Sequence, residues 1–446
     1  MPTFAEVILP LPIENVFTYA VPPQLEGSVG IGYRVIVPFG RKKFLTGIIQ
    51  AFSASAPEGF EVKEIAMAID KDPIIRHPQL KFWHWIADYY MAAIGDVFKA
   101  AVPSGLKVES ETFVELNPDY EFEPDTDLSD AEALITQLLA RDGHLTVEKI
   151  SSKLKLPKIA SVINTMLEKG ILIISEKIVE RYRAIKEICV TPNFTAADFK
   201  QAFEAVKGAK KQEQLLMALI DMSGVLRGVP KEVTRKKLLE RADVSPAILS
   251  AVMKKGIISQ YKKEINRFKF DGTPSGSLPP LSAAQLEAMD SITRQWADKQ
   301  TVLLHGVTSS GKTEIYSHII EAVLKEGRQI LYLVPEIALT TQLTRRPQKI
   351  FGNNIVVYHS KFSDNERVDI WKMMLQTSKP LVILGARSSI FLPFSKLGLV
   401  IVDEEHDPSY KQSEPAPRYN ARDAALVLAS MHGAKAILGT ATPSIE

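Results

Sequence analysis

A chain of 446 residues with 46% hydrophobic and 24% charged side chains has the length and apolar content for about three globular domains. Its formal net charge of +2 excludes a globally basic surface, so any nucleic-acid contact must come from local patches. The single cysteine, Cys189, excludes a disulfide or a cysteine-based zinc site within this stretch. The lack of an 18-residue apolar run or of an export leader sets the expectation of a cytoplasmic protein with no membrane partner.

The first hundred residues read as strands. Phe4–Leu9, Tyr33–Pro38, Phe44–Phe52 and Val62–Ile69 carry β-branched and aromatic residues between glycine and proline punctuation. Pro10, Pro12, Pro22, Pro23 and Pro38 restrict the pairing to a small, irregular sheet or barrel, with Gly40-Arg41-Lys42-Lys43 as a basic hairpin tip. A helix from Pro78 to about Met91 sets Phe82, Trp85, Ile86 and Tyr89 at helical spacing, a stripe that suits a core better than a base-stacking platform.

From about residue 110 to 275 the texture is helical and weakly repetitive. Leu145-Thr146-Val147-Glu148-Lys149-Ile150 is echoed by Val233-Thr234-Arg235-Lys236-Lys237-Leu238, and each leads to a proline-initiated helix, Pro157–Lys169 or Pro246–Lys255. Gly170 and Gly256 are expected to cap those helices in the left-handed conformation. The β-rich runs Ile171–Tyr182 and Ile257–Phe268 follow. Helix, turn, helix, glycine and hairpin is the layout of a winged helix, here as one domain or as two tandem copies. Such a unit can set its second helix in a DNA groove; a helical spacer or a protein-docking module fits these residues equally well. The composition divides the chain at 1–108, 109–272 and 281–446, with 273–280 as a linker rich in Gly, Pro and Ser.

Beyond the linker, short buried strands alternate with helices: Thr301–Leu304, Ile330–Val334, Ile355–Tyr358, Leu381–Leu384, Leu399–Val402 and Ala436–Leu438. That alternation predicts a doubly wound parallel sheet. Between the first strand and a helix over Glu314–Leu324 lies Gly306-Val307-Thr308-Ser309-Ser310-Gly311-Lys312-Thr313, a complete phosphate-binding loop. Gly306 and Gly311 let backbone N–H groups turn around phosphates, Lys312 reaches the β- and γ-phosphates, and Thr313 offers a hydroxyl to Mg²⁺. The strand Leu399–Val402 delivers Asp403-Glu404-Glu405-His406 at its carboxyl end, where ligands of open α/β sheets bind. Asp403 suits the metal, and Glu404 suits orienting or deprotonating the attacking water. Loop and acids together predict binding and hydrolysis of a nucleoside triphosphate.

These motifs carry a resemblance. Leu281-Ser282-Ala283-Ala284-Gln285, Val334-Pro335-Glu336-Ile337-Ala338-Leu339-Thr340, Gly385-Ala386-Arg387-Ser388-Ser389, Asp403–His406 and Gly439-Thr440-Ala441-Thr442-Pro443 occur in the order found in superfamily-two helicases. The whole chain resembles the amino-terminal half of the primosomal replication-restart helicase family. The resemblance implies a multidomain fold: a small β-rich domain, an α/β winged-helix region, and a RecA-like P-loop motor lobe. It implies that Gln285 reads adenine and that Thr313 and Asp403 hold Mg²⁺. It implies that Pro335, Thr340, Arg387 and Ser388 track single-stranded DNA, and that Glu405, His406, Gly439, Thr440, Ala441 and Thr442 couple the sites. The loop Asp407–Asp423 is similar to an aromatic and basic coupling loop, with Tyr410, Lys411, Arg418, Tyr419 and Arg422 meeting a single strand.

At the amino terminus, Phe17-Thr18-Tyr19 and Val35–Gly40 resemble segments that build a pocket for a DNA 3′ end. Phe17 would stack on the terminal base, Gly40 would allow close backbone approach, and Lys63 would meet the phosphate. Thr18 stands where the family pattern has an acid. The function implied is an ATP-dependent 3′-to-5′ DNA helicase that recognises stalled or branched forks and initiates primosome assembly in the bacterial cytoplasm, at the nucleoid. Its implied partners are DNA forks, single-stranded DNA, primosome proteins, the replicative helicase loader and single-stranded-DNA-binding protein. A second RecA-like lobe, its arginine finger and its zinc-binding cysteines are expected beyond this stretch. The competing readings are another superfamily-two branched-DNA translocase and a DNA-binding scaffold with a nucleotide-switch site.

Overall fold

The computed structural model describes residues 3–40, 43–57, 59, 62–107, 109–118, 120, 128–155, 159–179, 185–228, 231–265, 267, 276–336 and 341–445. The chain forms two compact units, one of Met1–Tyr182 with Phe270–Glu446 and the other of Arg183–Lys269.

The first unit begins with an antiparallel sheet. Strand β1 (Thr3–Ile8) lies between β2 (Phe17–Val21) and β4 (Lys43–Ser53), and β3 (Arg34–Phe39) joins β4 in a hairpin that sets Phe39 opposite Lys43. Ala5, Val7, Val35, Val37 and Ile49 are fully buried there and anchor the core. The strand expected over Val62–Ile69 is shorter: β5 (Met67–Ala68) pairs only with Val35 and Ile36, and Glu64 bridges to Ala20. Pro38, which has no N–H to donate, lies beyond that short pairing. Of the expected hairpin tip, Arg41 and Lys42 lie outside the described residues.

Helix α1 (His77–Tyr89) divides its aromatic stripe. Phe82 and Ile86 are buried with Trp83, whereas Trp85 and Tyr89 stack on each other at 4.9 Å with Tyr89 exposed. The helix has one inward face, and residues 85 and 89 fall beside it. Helix α2 (Ile94–Ala101) completes this layer. Just before α1, the Arg76 guanidinium donates to the carbonyls of Leu375 at 2.7 Å and Pro393 at 3.2 Å, and Trp371 donates to Ile74 O at 2.9 Å. These bonds join the β-rich domain to the carboxyl-terminal lobe.

Two winged helices follow. The first comprises β6 (Glu109–Leu116), α3 (Asp130–Asp142), β7 (His144–Leu145), α4 (Val147–Leu154), α5 (Ile159–Glu168) and β8 (Leu172–Val179). The second, in the other unit, comprises β9 (Ile185–Pro192), α6 (Phe199–Glu204), α7 (Lys210–Ser223), β10 (Val233–Thr234), α8 (Arg235–Ala242), α9 (Pro246–Lys254) and β11 (Ile258–Ile265). Gly170 and Gly256 take the left-handed conformation expected of them, at φ 73° and 74°. Among the described residues the hairpin expected after each glycine is not formed. Instead β8 pairs with β6, and β11 with β9, so each outgoing strand closes against the strand that precedes the helices.

The carboxyl-terminal lobe is the doubly wound sheet. Its strands are β12 (Thr301–His305), β13 (Gln329–Leu333), β14 (Ile355–Tyr358), β15 (Val382–Gly385), β16 (Leu397–Asp403) and β17 (Lys435–Thr440). They lie in the order β12-β17-β16-β13-β15-β14, all parallel. Helices α10 (Ala283–Gln295), α11 (Lys312–Lys325), α12 (Thr341–Phe351), α13 (Asp364–Gln376) and α14 (Ala421–Met431) alternate with them. Strands β13 and β15 are buried throughout, and β16 as far as Asp403, as their unbroken apolar runs predict. β12 departs from its expected burial: it is an edge strand and Leu303 is 51% exposed.

Candidate nucleotide site and nucleic-acid surfaces

Parallel strands bring their carboxyl ends to one edge, which gathers residues distant in sequence. The phosphate-binding loop follows β12, and its Gly306 N–H donates to Thr440 O at the end of β17 at 3.0 Å. Gly311, at φ 86°, caps α11 and leaves no space for a side chain: a Cβ there would meet Gln285 Nε2 at 2.0 Å. Gln285 is the N3 residue of α10's capping box, and its amide donates to Ser310 O at 3.3 Å. Gln285, residues 308–313, Asp403 and Glu404 therefore line one cleft of about 580 Å³, together with Pro279, Pro280 and Arg346. Val307 of the loop is 71% exposed.

Lys312 is nearly buried, its ammonium donating to Gly306 O at 2.7 Å and standing 4.0 Å from Glu404 Oε1. Asp403 accepts from the Tyr316 hydroxyl at 3.2 Å and from the Tyr332 hydroxyl at 3.4 Å. Burial, reinforced by the neighbouring Glu404 charge, pushes the Asp403 carboxyl above the ordinary range. A half-buried carboxylate with two phenol donors, beside a second acid, a loop hydroxyl and a cation, suits a divalent ion carrying phosphates. Asp403 and Thr313 would hold that ion. Glu404 sits at φ 49°, a strained backbone for a residue with a Cβ, of the kind that clusters at functional sites. Tyr316 and Tyr332 were not anticipated. Their only signals are a tyrosine four residues after Lys312, on the same helix face, and a lone polar group in the apolar run of β13.

The coupling segment is bonded to both halves of this cleft. Glu405 N–H donates to Gly439 O at 3.1 Å, His406 Nδ1 meets Thr440 Oγ1 at 2.7 Å, and His406 Nε2 meets Thr442 Oγ1 at 3.3 Å. His305 Nε2 lies 3.2 Å from Ala441 O. Gly439 is required by contact, because a Cβ would lie 1.6 Å from the Tyr316 hydroxyl.

The loop Asp407–Asp423 differs from expectation. Tyr410 and Tyr419 are 1% exposed, so neither ring is available here for stacking on a base. Tyr410 instead donates its hydroxyl to the Asp403 backbone carbonyl at 2.5 Å, and Tyr419 packs edge-on against Phe391 at 5.2 Å. Arg422 is buried too, donating to Glu405 Oε2 at 3.0 Å, Ser444 Oγ at 2.8 Å and Asp423 at 2.7 Å. Burial raises the Glu405 carboxyl, but donors from Ser444 and Arg422 outweigh it and hold the group below the ordinary range. Lys411 and Arg418 remain at the surface. Arg387 donates to Ser409 O at 3.2 Å, Ser388 is half-buried and Pro335 is buried. Thr340 lies outside the described residues.

Of the three residues expected at a strand-end pocket, two are in direct contact, Lys63 and Gly40. Lys63 Nζ donates to Gly40 O at 2.6 Å, and Phe17 packs edge-on against Phe39, the neighbour of Gly40, at 5.5 Å. Open space surrounds Gly40. Thr18 lies opposite Glu6 in the β1–β2 ladder, one residue out of phase with Phe17 and hence on the other face.

A P-loop lobe with paired acids, following a β-rich domain and two winged helices, is the architecture of a helicase-type protein. Residues 282–446 match the DEAD/DEAH box helicase family, residues 6–103 the 3′DNA-binding domain of PriA, residues 111–177 a winged helix domain, and residues 188–265 the winged helix domain of PriA helicase from Bacteroidota. The replication restart protein PriA of Bacillus subtilis is 31% identical over 99% of this chain and 54% of its own length. That of Synechocystis sp. is 33% identical over 99% of this chain and 52% of its own. Over nearly its whole length the chain is similar to PriA replication restart proteins, and it spans about half the length of these relatives. No helix among the described residues is long and apolar enough to cross a membrane.

Proposed function

We propose that this chain forms the fork-engaging and ATP-binding part of an ATP-dependent DNA helicase that acts at stalled or branched replication forks. The observation that carries this reading is the meeting of Lys312, Thr313, Asp403 and Glu404 in one cleft bonded through Gly439 and Thr440 to the coupling segment. Lys312 would leave Gly306 O and Glu404 for the β- and γ-phosphates, freeing Glu404 to orient the attacking water. Asp403 and Thr313 would hold Mg²⁺, which supplies charge neutralisation for phosphoryl transfer. Gln285, beside the loop, would read adenine. Movement at the cleft would reach the DNA-facing loop through Tyr410, bonded to Asp403 O, and through the Arg422–Glu405 pair.

Pro335, Thr340, Arg387 and Ser388 would track a single strand by its phosphates, and Lys411 and Arg418 would add exposed charge. The 3′-to-5′ direction and the initiation of primosome assembly rest on the family named by the relatives. Replacing Lys312→Ala in the full-length protein is expected to abolish ATP hydrolysis while fork binding, measured by titration, stays within about twofold. Hydrolysis at the normal rate in that variant would sink the assignment of the cleft.

A further inference from the structure

The two winged helices share one hydrogen-bonded frame. Asn117 Nδ2 donates to Gly170 O at 2.8 Å in the first, and Asn193 Nδ2 donates to Gly256 O at 2.9 Å in the second. Asn117 N–H reaches Ile171 O and Asn193 N–H reaches Ile257 O, both at 2.9 Å. Thr146 caps α4 through Lys149 N–H, and Thr234 caps α8 through Lys237 N–H, both at 3.3 Å. These anchors put the copies in register, and the buried positions agree: Ile150 with Leu238, Ile163 with Leu249, Met166 with Val252.

Charge does not agree. Residues 111–177 contain 7 Lys and Arg against 13 Asp and Glu, a net of −6, while residues 188–265 contain 14 against 8, a net of +6. The whole chain is only +2, so the second copy is a strongly basic module within an otherwise acidic chain. Reversal falls at matched positions. Two residues after the capping threonine stand Glu148 and Lys236, and two before the glycine stand Glu168 and Lys254. Six after the glycine, on the wing strand, stand Glu176 and Lys262. Lys236, Lys254 and Lys262 are exposed. Lys236 stands 4.0 Å from Glu240 with both side chains largely in water, a pair that solvent screens.

We infer that the two copies divide their work: the second winged helix grips the backbone of duplex DNA through Lys236, Lys254 and Lys262, and the first does not. The inference rests on reading the chain as a DNA-binding member of its family. Duplex is favoured over a single strand because the cations lie on the two helices and the wing, the elements that straddle a groove. An aromatic platform for unpaired bases is missing among the described residues of this surface. Phe194, Phe199 and Phe203 pack in the core, which leaves Tyr261, 40% exposed with its hydroxyl bonded to Glu232, as a single ring and not a row on which successive bases could stack.

The test uses residues 1–446 and three probes: a duplex closed at both ends, a single strand, and a fork with a free 3′ end. A Lys236→Gln, Lys254→Gln, Lys262→Gln variant should bind the closed duplex at least about tenfold more weakly, with the salt slope reduced by about 2 to 3 for three lost phosphate contacts. Its affinity for the single strand should stay within about twofold. The mirror variant Glu148→Lys, Glu168→Lys, Glu176→Lys should tighten duplex binding and steepen the slope. Unchanged duplex affinity and slope in the glutamine variant, with fork binding intact, would overturn this division alone. So would loss of duplex binding on neutralising Lys149, Lys153 and Lys155 instead. Failure of the unaltered chain to bind any of the three probes would overturn the division and the DNA-binding reading together.

Discussion

On the proposed function, Phe17 and Lys63 would supply different forces to a DNA 3′ end. Stacking a base on an aromatic ring is worth about 1–3 kcal/mol, and one phosphate contact adds a salt-dependent term. Phe17→Ala with Lys63→Ala should therefore weaken binding to forks with a free 3′ end by about one to three orders of magnitude. Plain single-stranded DNA should bind nearly as before. Equal loss on forks ending in a 3′ hydroxyl and a 3′ phosphate, after equal binding by the unaltered chain, would reduce the pocket to a generic basic surface. These residues were legible only through the resemblance of Phe17-Thr18-Tyr19 and Val35–Gly40 to known segments, because their types alone do not set them apart from neighbours such as Phe39, Lys43 and Phe44. Lys312, Asp403 and Glu404 were visible for a stronger reason, since phosphate chemistry fixes both residue type and position at a strand end. Tyr410 and Tyr419 were misplaced because residue type alone does not say which way a ring turns. Only the three-dimensional fold reveals that Tyr410 ends on the Asp403 carbonyl.

Glu132 shows how an element can depend on one carboxylate. It closes the capping box of α3, accepting from Ser129 N–H at 2.8 Å and Ser129 Oγ at 3.0 Å, and it receives Lys169 Nζ at 2.6 Å. The Lys169 hydrogen bond, aided by those from Ser129, holds the carboxyl below its ordinary range against the opposing effect of burial. A depressed folded-state pKa stabilises the fold above the unfolded value, and that contribution is lost as pH falls through the folded value. Glu132→Gln should cost about 1 kcal/mol of local stability at neutral pH. The gap from the unaltered chain should close as pH falls through the carboxylate range. Hydrogen exchange of the α3 amides reads this directly, and a gap that widens on acidification would contradict it. At this scale the parallel strands were legible because burial on both faces leaves unbroken apolar runs. β6 and β9 were not, because they carry Glu, Lys and Thr among their apolar residues and precede long helices. Their pairing with β8 and β11 is a long-range contact that local periodicity does not encode.

On the scale of the molecule, one sheet edge collects the phosphate loop, the acids and the coupling segment, and Arg76 and Trp371 join that lobe to the β-rich domain. The near-zero overall charge hid the strongest polarity in the chain, because an acidic and a basic winged helix cancel. On the proposed function, the cleft hydrolyses ATP in response to a fork. The most direct measurement is fork-stimulated phosphate release by the full-length protein, unaltered and with Glu404→Gln, alongside binding of Mg·ATP. Glu404→Gln is expected to bind Mg·ATP with its affinity kept within about tenfold, because Asp403, Lys312 and Thr313 remain, yet to release phosphate at least about a hundredfold more slowly. Phosphate release at the unaltered rate in Glu404→Gln, or release indifferent to the fork in the unaltered protein, would contradict it.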